Sequence, residues 1–369
     1  MKKRAIVIGA GIVGLATARK LAQKGYAVEV LERGERAQGA SIRNFGMIWP
    51  IGQPKGKLYE RALRSRSIWK ELAEKAGIWY GEVGSLHLAH RQEEQAVLEE
   101  FVDQNPQYTL LSPSAVRSEA VVKEGLRVAL WSNEELIVDP REAIARLPHY
   151  LNEQLGVKFR WNTTAVEVRH PYVKTAKGDK LEADVIVVCN GADFETLYPE
   201  RFAELAITKC KLQMMRLRAQ PDNWSIGPAL CGGLTLVHYE AFKGVASHAA
   251  LKAYFQQHHS EYLKWGLNVM VSQNGHGELT VGDSHEYGRQ LSPFNQEFID
   301  QMILDYLASF AQFKDWSVGS RWMGIYPKMT NGATEIVESP EPGVSIINGL
   351  GGAGMTLSFG LTEEVLENL

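Results

Sequence analysis

Three glycines, Gly9, Gly11 and Gly14, follow a β-branched run at residues 4–8 and open a helical pattern at residues 12–24. The spacing G-x-G-x-x-G between a strand and a helix is typical of dinucleotide-binding folds. The first glycine permits a tight turn, the second lets the backbone approach a pyrophosphate, and the third allows the helix to lie close to the strand. The chain is therefore predicted to begin with a Rossmann-type βαβ unit.

An acidic residue completes this fingerprint. Glu32 ends the second predicted strand, where such folds use a carboxylate about 20 positions downstream to accept hydrogen bonds from the adenosine ribose. Arg33 follows it, while Ile12 and Val13 lie at the positive end of the helix, where N–H groups favour a diphosphate. A glycine-rich turn with an incidental glutamate is the alternative, but strand, spacing, helix and acid all agree. The fingerprint alone does not distinguish FAD from NAD.

A second glycine-rich segment, near the end of the sequence, favours FAD. It follows a predicted strand at residues 344–348 and precedes a closing helix predicted over residues 356–369. Backbone N–H groups at such a helix start stabilise the negative charge that a flavin gains at its N1–C2=O edge on reduction. A plain structural turn is the alternative. The predicted flavin-binding residues of this segment are Gly351, Gly352, Ala353, Gly354, Met355 and Thr356.

Apolar residues at helical spacing and at alternating spacing predict the other elements. Predicted helices lie at residues 12–24, 58–76, 93–102, 140–155, 295–313 and 356–369. Predicted strands include residues 4–8, 27–32, 85–89, 126–130, 157–161, 165–169, 185–188, 234–237 and 344–348.

The 369 residues, 45% of them apolar, exceed what one hydrophobic core normally holds. We therefore predict an α/β chain of two domains: a Rossmann-type FAD-binding domain and a substrate domain built on an antiparallel β-sheet. The predicted FAD-binding domain comprises residues 1–80, 138–205 and 326–369, and the predicted substrate domain comprises residues 81–137 and 206–325.

The charge pattern excludes several classes of partner. The net charge is -3, from 40 basic and 43 acidic side chains without a dense basic block, so neither nucleic acid nor an anionic membrane surface is expected. No apolar stretch approaches the roughly 20 residues of a spanning helix. Cys189, Cys210 and Cys231 lie far apart and match no metal or disulfide pattern. We expect a cytoplasmic protein with reduced thiols, no metal site and a small-molecule substrate.

These features resemble the D-amino-acid oxidase, glycine oxidase and sarcosine oxidase superfamily of FAD-dependent amine oxidoreductases, over nearly the whole chain. Besides the fingerprint, the resemblance rests on residues 39–46, 183–192, 282–285 and 322–356. It implies a D-amino-acid-oxidase-like fold whose substrate sits over the flavin in the antiparallel domain. Further implied FAD-binding residues are Ala40, Ser41, Arg43 and Asn44 along the pyrophosphate and flavin, Val166 at the adenine, and Asn190, Gly191 and Gly324.

Residues 43–54 are similar to a branch associated with phosphonate breakdown. This resemblance implies oxidation of an aminophosphonate related to 2-aminoethylphosphonate, with loss of an amino or methylamino group to give an aldehyde. Oxidation of glycine, sarcosine or D-amino acids is the alternative within the superfamily. A non-catalytic flavin redox sensor and an NAD-dependent dehydrogenase are alternatives from other classes.

The chain also departs from the superfamily pattern. Tyr326 stands where many relatives carry an arginine that grips a carboxylate. Sarcosine oxidases place a covalent-flavin cysteine near Gly324 and a substrate-binding lysine near Thr356, and this chain has neither. Arg43 stands where some dehydrogenases attach flavin through a histidine. These departures imply non-covalent FAD. Thr280 replaces the lysine that helps sarcosine oxidases activate oxygen, so O₂ and another electron acceptor both remain open.

Flavin-dependent amine oxidation needs little acid–base chemistry, because the nitrogen lone pair assists transfer of hydride from the α-carbon to flavin N5. Positioning dominates, with reacting atoms roughly 3 to 3.5 Å apart. Arg43 is the first candidate to grip an anionic substrate, since its guanidinium suits carboxylate or phosphonate oxygens. Pairing of Arg43 with the FAD diphosphate or a surface acid is equally compatible with the sequence. Lys328 is a second candidate, with a solvated loop lysine as the alternative.

Three further side chains are candidates. Tyr326 is predicted to hydrogen-bond the substrate, with an aromatic pocket wall as the alternative. His238 and Tyr239 end the strand predicted at residues 234–237, where relatives present side chains over the flavin. A hydrogen-bonded structural histidine is the alternative for His238.

Overall fold

The computed structural model describes residues 2–367. Its α-helices are α1 (Ile12–Gln23), α2 (Lys57–Ala76), α3 (Gln92–Gln104), α4 (Pro140–Leu155), α5 (Pro199–Glu204), α6 (Gly233–His238), α7 (His248–His258), α8 (Ser260–Lys264), α9 (Glu297–Ala308) and α10 (Gly354–Val365). Its strands are β1 (Arg4–Ile8), β2 (Ala27–Leu31), β3 (Met47–Ile48), β4 (Tyr80–Gly81), β5 (Ser85–Ala89), β6 (Thr109–Leu111), β7 (Val128–Ser132), β8 (Leu136–Val138), β9 (Lys158–Arg160), β10 (Ala165–Arg169), β11 (Tyr172–Thr175), β12 (Lys180–Glu182), β13 (Val185–Val188), β14 (Ile207–Leu217), β15 (Ala229–Cys231), β16 (Met270–Gln273), β17 (Leu279–Gly282), β18 (Glu286–Gly288), β19 (Val318–Met329), β20 (Ile336–Glu341) and β21 (Val344–Asn348).

β1 lies inside a six-stranded sheet of order β20-β21-β13-β1-β2-β9. β9, β2, β1, β13 and β21 run parallel, and β20 pairs antiparallel at one edge. Val7 and Val187 are completely buried, as expected for strands that are covered on both faces. The carboxyl ends of the parallel strands therefore share one edge, where open α/β sheets bind ligands.

Helix α10 is fixed against α2 by a buried polar anchor. The Trp69 indole N–H donates to the Met355 carbonyl at 2.7 Å, and the Trp69 ring meets Phe359 edge-to-face with centroids 5.1 Å apart. Arg61, fully buried, pairs with Glu364 at 2.8 Å and Glu335 at 3.0 Å. The Trp69 contacts hold the start of α10 at the carboxyl edge of the sheet, and the Arg61–Glu364 pair holds the last turn of α10 against α2.

The second large sheet has nine strands, in the order β18-β14-β17-β16-β15-β5-β7-β6 with β19 paired to β14. Its pairs are antiparallel except for β5 and β15, which run parallel. Leu98 of α3, Phe255 of α7 and Ile303 of α9 share its buried core. The sheet is thus largely antiparallel, as the sequence predicts, with one parallel pair that the alternating pattern does not reveal. The α/β fold class is confirmed.

The prediction of a strand at residues 234–237 is wrong, because these residues form most of α6. Leu234, Thr235 and Leu236 are all buried, so these three residues show no alternation of buried and exposed positions that would distinguish a strand from a helix. The Thr235 hydroxyl donates a hydrogen bond to the Gly232 carbonyl and so closes the first turn of α6. Helices α7 and α8 were not predicted either.

Other predicted elements differ at their ends. The helix predicted over residues 295–313 is the shorter α9, and the closing helix predicted from residue 356 is α10, which begins two residues earlier. The predicted end of that helix, Leu369, lies outside the described residues. Three predicted domain boundaries, 80/81, 137/138 and 325/326, fall inside β4, β8 and β19, and the domain division stays a prediction.

Candidate active site

The turn after β1 accepts only glycine at two positions. Gly9 has φ +103°, and a Cβ there would lie 2.4 Å from the Cys189 carbonyl oxygen. A Cβ on Gly14 would lie 1.8 Å from the Gly9 carbonyl oxygen. Both distances are far below van der Waals contact, so the fingerprint glycines bring α1 directly against the sheet.

Glu32 lies at the end of β2 with its carboxylate held by backbone amides. Its two oxygens accept the N–H groups of Ala10 and Gly34, both at 3.0 Å. Ser41 accepts the Ile12 N–H at 2.9 Å and so joins residues 39–46 to the start of α1. Arg33, which the sequence assigns to the cofactor, pairs with Asp193 at 2.8 Å.

The N-termini of α1 and α10 meet. A Cβ on Gly354 would lie 3.7 Å from Ile12 Cγ2, and neither N-cap residue, Gly11 or Ala353, supplies a capping side chain, although Ser41 accepts the Ile12 N–H. Unpaired N–H groups and the positive ends of two helix dipoles therefore converge at the carboxyl edge of the sheet. The short 3₁₀ turn Gly351–Ala353 leads into α10 at the same place. This arrangement suits a ligand with anionic groups.

A cavity of about 1640 Å³ runs along this edge, from Glu32 to Tyr326. The predicted residues that line it are Gly9, Gly11, Ile12, Val13, Glu32, Arg33, Ala40, Ser41, Arg43, Asn44, Asn190, Gly191, His238, Tyr239, Tyr326, Lys328, Gly351, Gly352, Ala353, Gly354, Met355 and Thr356.

Three predicted residues lie outside the cavity lining. Gly14 is covered by the Gly9 carbonyl, and Gly324 lies against Arg43, whose carbonyl oxygen is 3.0 Å from a Cβ built there. Val166 is 40% exposed, and residues 163–165 line the cavity in its place. Gly14 and Gly324 therefore shape the backbone around the cavity without forming its surface.

Asn44 and Asn190 are occupied by the protein itself. The Asn44 amide donates to Ala40 and Ser41 carbonyls, at 2.9 and 3.0 Å, and its oxygen accepts the Gly46 N–H at 2.8 Å. The Asn190 oxygen accepts from Asn348 Nδ2 at 2.8 Å, which ties the ends of β13 and β21 together. Sequence reasoning missed Asn348, whose position at the end of a buried strand is the signal that could have found it.

Arg43 lies in the wall between the main cavity and a second one of about 920 Å³. Its Nη1 donates to the Met323 carbonyl at 3.1 Å, and within residues 2–367 no carboxylate pairs with it. Lys328 also lines the main cavity without an acid partner among the described residues; its Nζ lies 5.6 Å from the centre of the Tyr287 ring. The far end of the cavity therefore carries positive charge available to a ligand.

Tyr326 faces the glycine-rich turn across the cavity. A Cβ on Gly352 would lie 3.6 Å from the Tyr326 hydroxyl oxygen. Cys210 stands between Tyr326 and Tyr287 in the register of β19, β14 and β18. Burial raises the pKa of Tyr326 well above its usual value. The phenol consequently keeps its proton and can donate a hydrogen bond into the cavity.

Two histidines, His238 and His285, pack against each other in the cavity wall beside Tyr239, with their rings tilted by 34°. The rings of His238 and His285 have centroids 4.6 Å apart, and His285 Nδ1 lies 2.7 Å from the Gly266 carbonyl oxygen. Burial lowers the pKa of His285 to about 4 and that of His238 well below its usual value. Both rings are therefore neutral near pH 7.

Sequence reasoning missed Asp283 and Asn268, which line the same end of the cavity. Asp283 follows directly after the apolar strand β17, and a carboxylate at a strand end is the signal that could have found it. Asn268 precedes β16 and lies beside Asp283 because the two backbones pair in the folded protein. Each residue donates its backbone N–H to the carbonyl of the other, at 2.8 and 2.9 Å.

Comparison with known proteins decides the family. The model of the family described as "FAD dependent oxidoreductase" matches residues 4–367. The chain belongs to this family. Among curated relatives, D-amino acid dehydrogenase of Helicobacter pylori is 26% identical over an alignment 251 residues long that covers 52% of this chain and 61% of that protein. The match therefore spans less than two thirds of the relative's length.

Solved structures share the fold of this FAD-dependent oxidoreductase. Glycine oxidase from Geobacillus kaustophilus superposes with a TM-score of 0.76 and 19% identity, covering 100% of this chain and 95% of that one. L-proline dehydrogenase from P. horikoshii gives a TM-score of 0.77 and 20% identity, covering 99% and 92%.

The residues present fit FAD. Glu32 at the end of β2 suits the ribose, and the meeting helix starts suit the diphosphate, because both offer unpaired N–H groups to negative charge. The glycines at positions 9, 351, 352 and 354 leave room for close approach of a ligand to the backbone. FAD is the cofactor of this oxidoreductase.

Two further findings concern the described residues. None of the helices between residues 2 and 367 is long and apolar enough to cross a membrane. In the same part of the chain, no three His, Cys, Asp or Glu side chains are grouped so that they could hold a metal ion.

Proposed function

We propose that this oxidoreductase oxidises a small amine that carries an anionic group, at the carbon next to nitrogen. Bound FAD supplies the hydride acceptor, flavin N5. The protein holds the substrate in register with it and keeps water out. The Arg43 position, and the lack of a cysteine near Gly324, support non-covalent FAD.

The observation that carries the proposal is the unpaired Lys328 at the far end of the cavity. A lysine that lines a cavity without a carboxylate partner among residues 2–367 is available to an anionic ligand. Tyr326 adjoins it in β19 and keeps its proton. The two side chains together offer a charge and a hydrogen-bond donor to one anionic group.

The cavity volume supports the same conclusion. Ligand cavities for small molecules commonly have volumes of about 300–1,000 Å³, whereas this cavity has about 1640 Å³. A dinucleotide with a small substrate beside it accounts for the larger space. A bulky substrate is disfavoured, because Trp49, Tyr239 and Met270 line the substrate end.

Within this class we propose an aminophosphonate related to 2-aminoethylphosphonate, which would be converted to an aldehyde. The support is the resemblance of residues 43–54 to a phosphonate-associated branch and the presence of two cavity-lining cations, Arg43 and Lys328, that have no acid partner among the described residues, since a phosphonate carries more charge than a carboxylate. A second candidate substrate class is glycine, sarcosine or D-amino acids, which the activity named for the Helicobacter pylori relative favours. The electron acceptor, O₂ or another, and a cytoplasmic location belong to the proposal as well.

Anaerobic reduction of the bound flavin tests the proposal. Purified protein would be mixed with glycine, sarcosine, D-alanine, 2-aminoethylphosphonate and the N-methyl and 1-hydroxy forms of the last, and flavin absorbance would be followed. Bleaching by the phosphonates alone supports the aminophosphonate assignment. Bleaching by the ordinary amino acids alone discards that assignment and keeps amine oxidation. A flavin that none of these amines reduces contradicts the proposed function.

A further inference from the structure

Asp283 is a buried carboxylate that lacks its counter-charge. Its side chain is 7% exposed and lines the substrate end of the cavity. Oδ1 has no hydrogen-bond partner among the described residues. Taking a carboxylate out of water without a partner costs several kcal/mol, so this position is unfavourable for the fold by itself.

A second unpaired acceptor lies beside it. Asn268 is 2% exposed, lines the cavity, and its side-chain oxygen has no donor within residues 2–367. The two backbones are paired at 2.8 and 2.9 Å, so the side chains are held next to each other. Buried polar atoms normally have partners. Two unpaired acceptors in one cavity wall therefore indicate a ligand that brings several donors.

The surrounding side chains do not provide the missing charge. His285 Nδ1 lies 3.8 Å from Asp283 Oδ1, but it is 2.7 Å from the Gly266 carbonyl oxygen, and burial lowers the pKa of His285 to about 4. Tyr239 and Tyr326 are neutral phenols whose pKa values burial raises. Within the described residues, no lysine or arginine nitrogen lies within 4 Å of the Asp283 carboxylate.

We propose that Asp283 binds the substrate nitrogen as an ammonium group and then accepts one of its protons. The inference rests on the proposed function, because it assigns the group that receives the amine. The ammonium N–H bond breaks, the proton bonds to a carboxylate oxygen of Asp283, and the freed electron pair stays on nitrogen. Bound FAD would then accept the hydride of the α-carbon, and the nitrogen lone pair would form the C=N bond of the iminium product.

The two charged groups of the site match a zwitterion. Asp283 is the anionic group and Lys328 is the cationic one, and both line the same end of the cavity. Small amines with a carboxylate or phosphonate exist near pH 7 mainly as ammonium forms, which cannot assist hydride departure until they lose a proton. A carboxylate beside the nitrogen removes this obstacle, which explains why the site retains a buried charge.

The pH dependence distinguishes a proton acceptor from a structural carboxylate. Burial raises the pKa of Asp283 well above its usual value. Tyr239, Tyr326, Tyr287 and Cys210 lie within electrostatic range of its carboxylate, His285 Nδ1 lies 3.8 Å from it, and His238 and Lys328 line the same cavity. Flavin reduction by wild type is expected to rise with pH as Asp283 ionises and then to stay level until the substrate ammonium itself titrates.

The test compares Asp283→Asn with the matched control Asp300→Asn. Asp300 is an equally buried carboxylate outside the cavity, bonded to Gln213 at 2.8 Å and Arg321 at 2.9 Å. Flavin content and the rate of anaerobic flavin reduction would be measured from pH 6 to pH 10. Asp283→Asn is expected to retain flavin and to be reduced about 100- to 10,000-fold more slowly near pH 7. Its rate is expected to rise about tenfold per pH unit towards the amine pKa, because it depends on amine that is already neutral.

A binding measurement completes the test without turnover. The ligands are an anionic amine with no hydrogen on the carbon beside nitrogen, and its hydroxyl isostere. Wild type should prefer the amine by at least tenfold, and Asp283→Asn should lose this preference. If Asp283→Asn does not fold, calorimetry on wild type in buffers of different ionisation enthalpy replaces it. Below the pKa of Asp283, binding of the amine should release about one proton.

The outcomes separate the inference from the proposed function. If no amine reduces the wild-type flavin, the proposed function is wrong. If wild type is reduced but Asp283→Asn has the same rate and the same pH profile, the role of Asp283 is wrong while amine oxidation stands. Absence of proton release and of amine preference in wild type overturns it in the same way.

Discussion

The two ends of the main cavity differ in whether backbone groups or side chains form most of their surface. The nucleotide end consists of backbone: a glycine turn after β1, two helix starts, and Glu32 held by the amides of Ala10 and Gly34 at 3.0 Å. The substrate end consists of side chains from distant elements: Trp49 after β3, His238 of α6, Met270 of β16, Asp283 after β17, and Tyr326 and Lys328 of β19. Backbone geometry follows from local spacing, whereas side chains from distant elements meet only after folding.

The carboxylates at the two ends show the same contrast. Glu32 accepts two backbone hydrogen bonds before any ligand arrives, and Asp283 accepts none on Oδ1 from the described residues. The first is a prearranged acceptor for neutral hydroxyl groups. The second is a charge that requires a cation. The carboxylate at the nucleotide end is therefore hydrogen-bonded without a ligand, whereas the carboxylate at the substrate end gains its partner when a ligand binds.

The largest expected effect is at the nucleotide end. Gly9→Ala places a methyl group 2.4 Å from the Cys189 carbonyl oxygen at φ +103°, where strain and overpacking together cost about 2–5 kcal/mol. We expect loss of bound flavin and a lower melting temperature, measured by absorbance and calorimetry. Gly25→Ala is the control, since Gly25 has φ +88° but no atom within 4 Å. Equal flavin loss in both variants would mean that strain, not close approach, matters.

Lys328→Met should affect only the substrate end. Removing a charged hydrogen-bonding partner costs about 1.5–3 kcal/mol, so we expect the apparent binding constant for the anionic amine in flavin reduction to weaken by about 10- to 150-fold. Flavin content should be unchanged. Lys264→Met, at a side chain that is 61% exposed, is the control. If the apparent binding constant for an amine without an anionic group weakened by a similar factor, the role of Lys328 in anion binding would be contradicted.

Arg43 lies where the two ends join, and Arg43→Ala decides to which it belongs. We expect about tenfold weaker turnover of the anionic amine, with flavin affinity changed much less, because the guanidinium has no carboxylate partner in the described chain. Titration of apoprotein with FAD and steady-state kinetics supply the two numbers. Equal loss in both would assign Arg43 to the FAD diphosphate.

Glu135 should have the smallest effect on catalysis, because it is buried outside the cavity. It accepts hydrogen bonds from Ser85 at 3.0 Å and the Ile51 N–H at 3.3 Å, and burial raises its pKa to about 7. A carboxyl whose pKa is raised by folding stabilises the fold while protonated, so this stability is lost as pH rises from about 4.5 to about 7. Glu135→Gln should flatten the melting temperature over this range. Unchanged pH dependence would show that Glu135 is ionised in the folded protein.

The sequence predicts the nucleotide end because its signals are local. α4 was predicted with correct bounds, since Asp139 caps its start, Pro140 opens it, and Gly156 ends it at φ +67°. The glycine fingerprint is local in the same way. The substrate end was predicted only in part. Tyr326 and Lys328 were candidates, but Asp283 and Asn268, which are partners only across two strands, were not.

The meeting of α1 and α10 has a consequence for the chain as a polymer. A Cβ on Gly354 would lie 3.7 Å from Ile12 Cγ2, and Arg19 pairs with Glu363 at 3.0 Å, so segments far apart in the sequence lie together here. A dinucleotide bound at this junction would bridge α1 and α10, whose first residues, Ile12 and Gly354, lie 342 positions apart in the sequence. Because a ligand that binds only the folded state stabilises it by mass action, we expect FAD to raise the free energy of unfolding by an amount that grows with the FAD concentration.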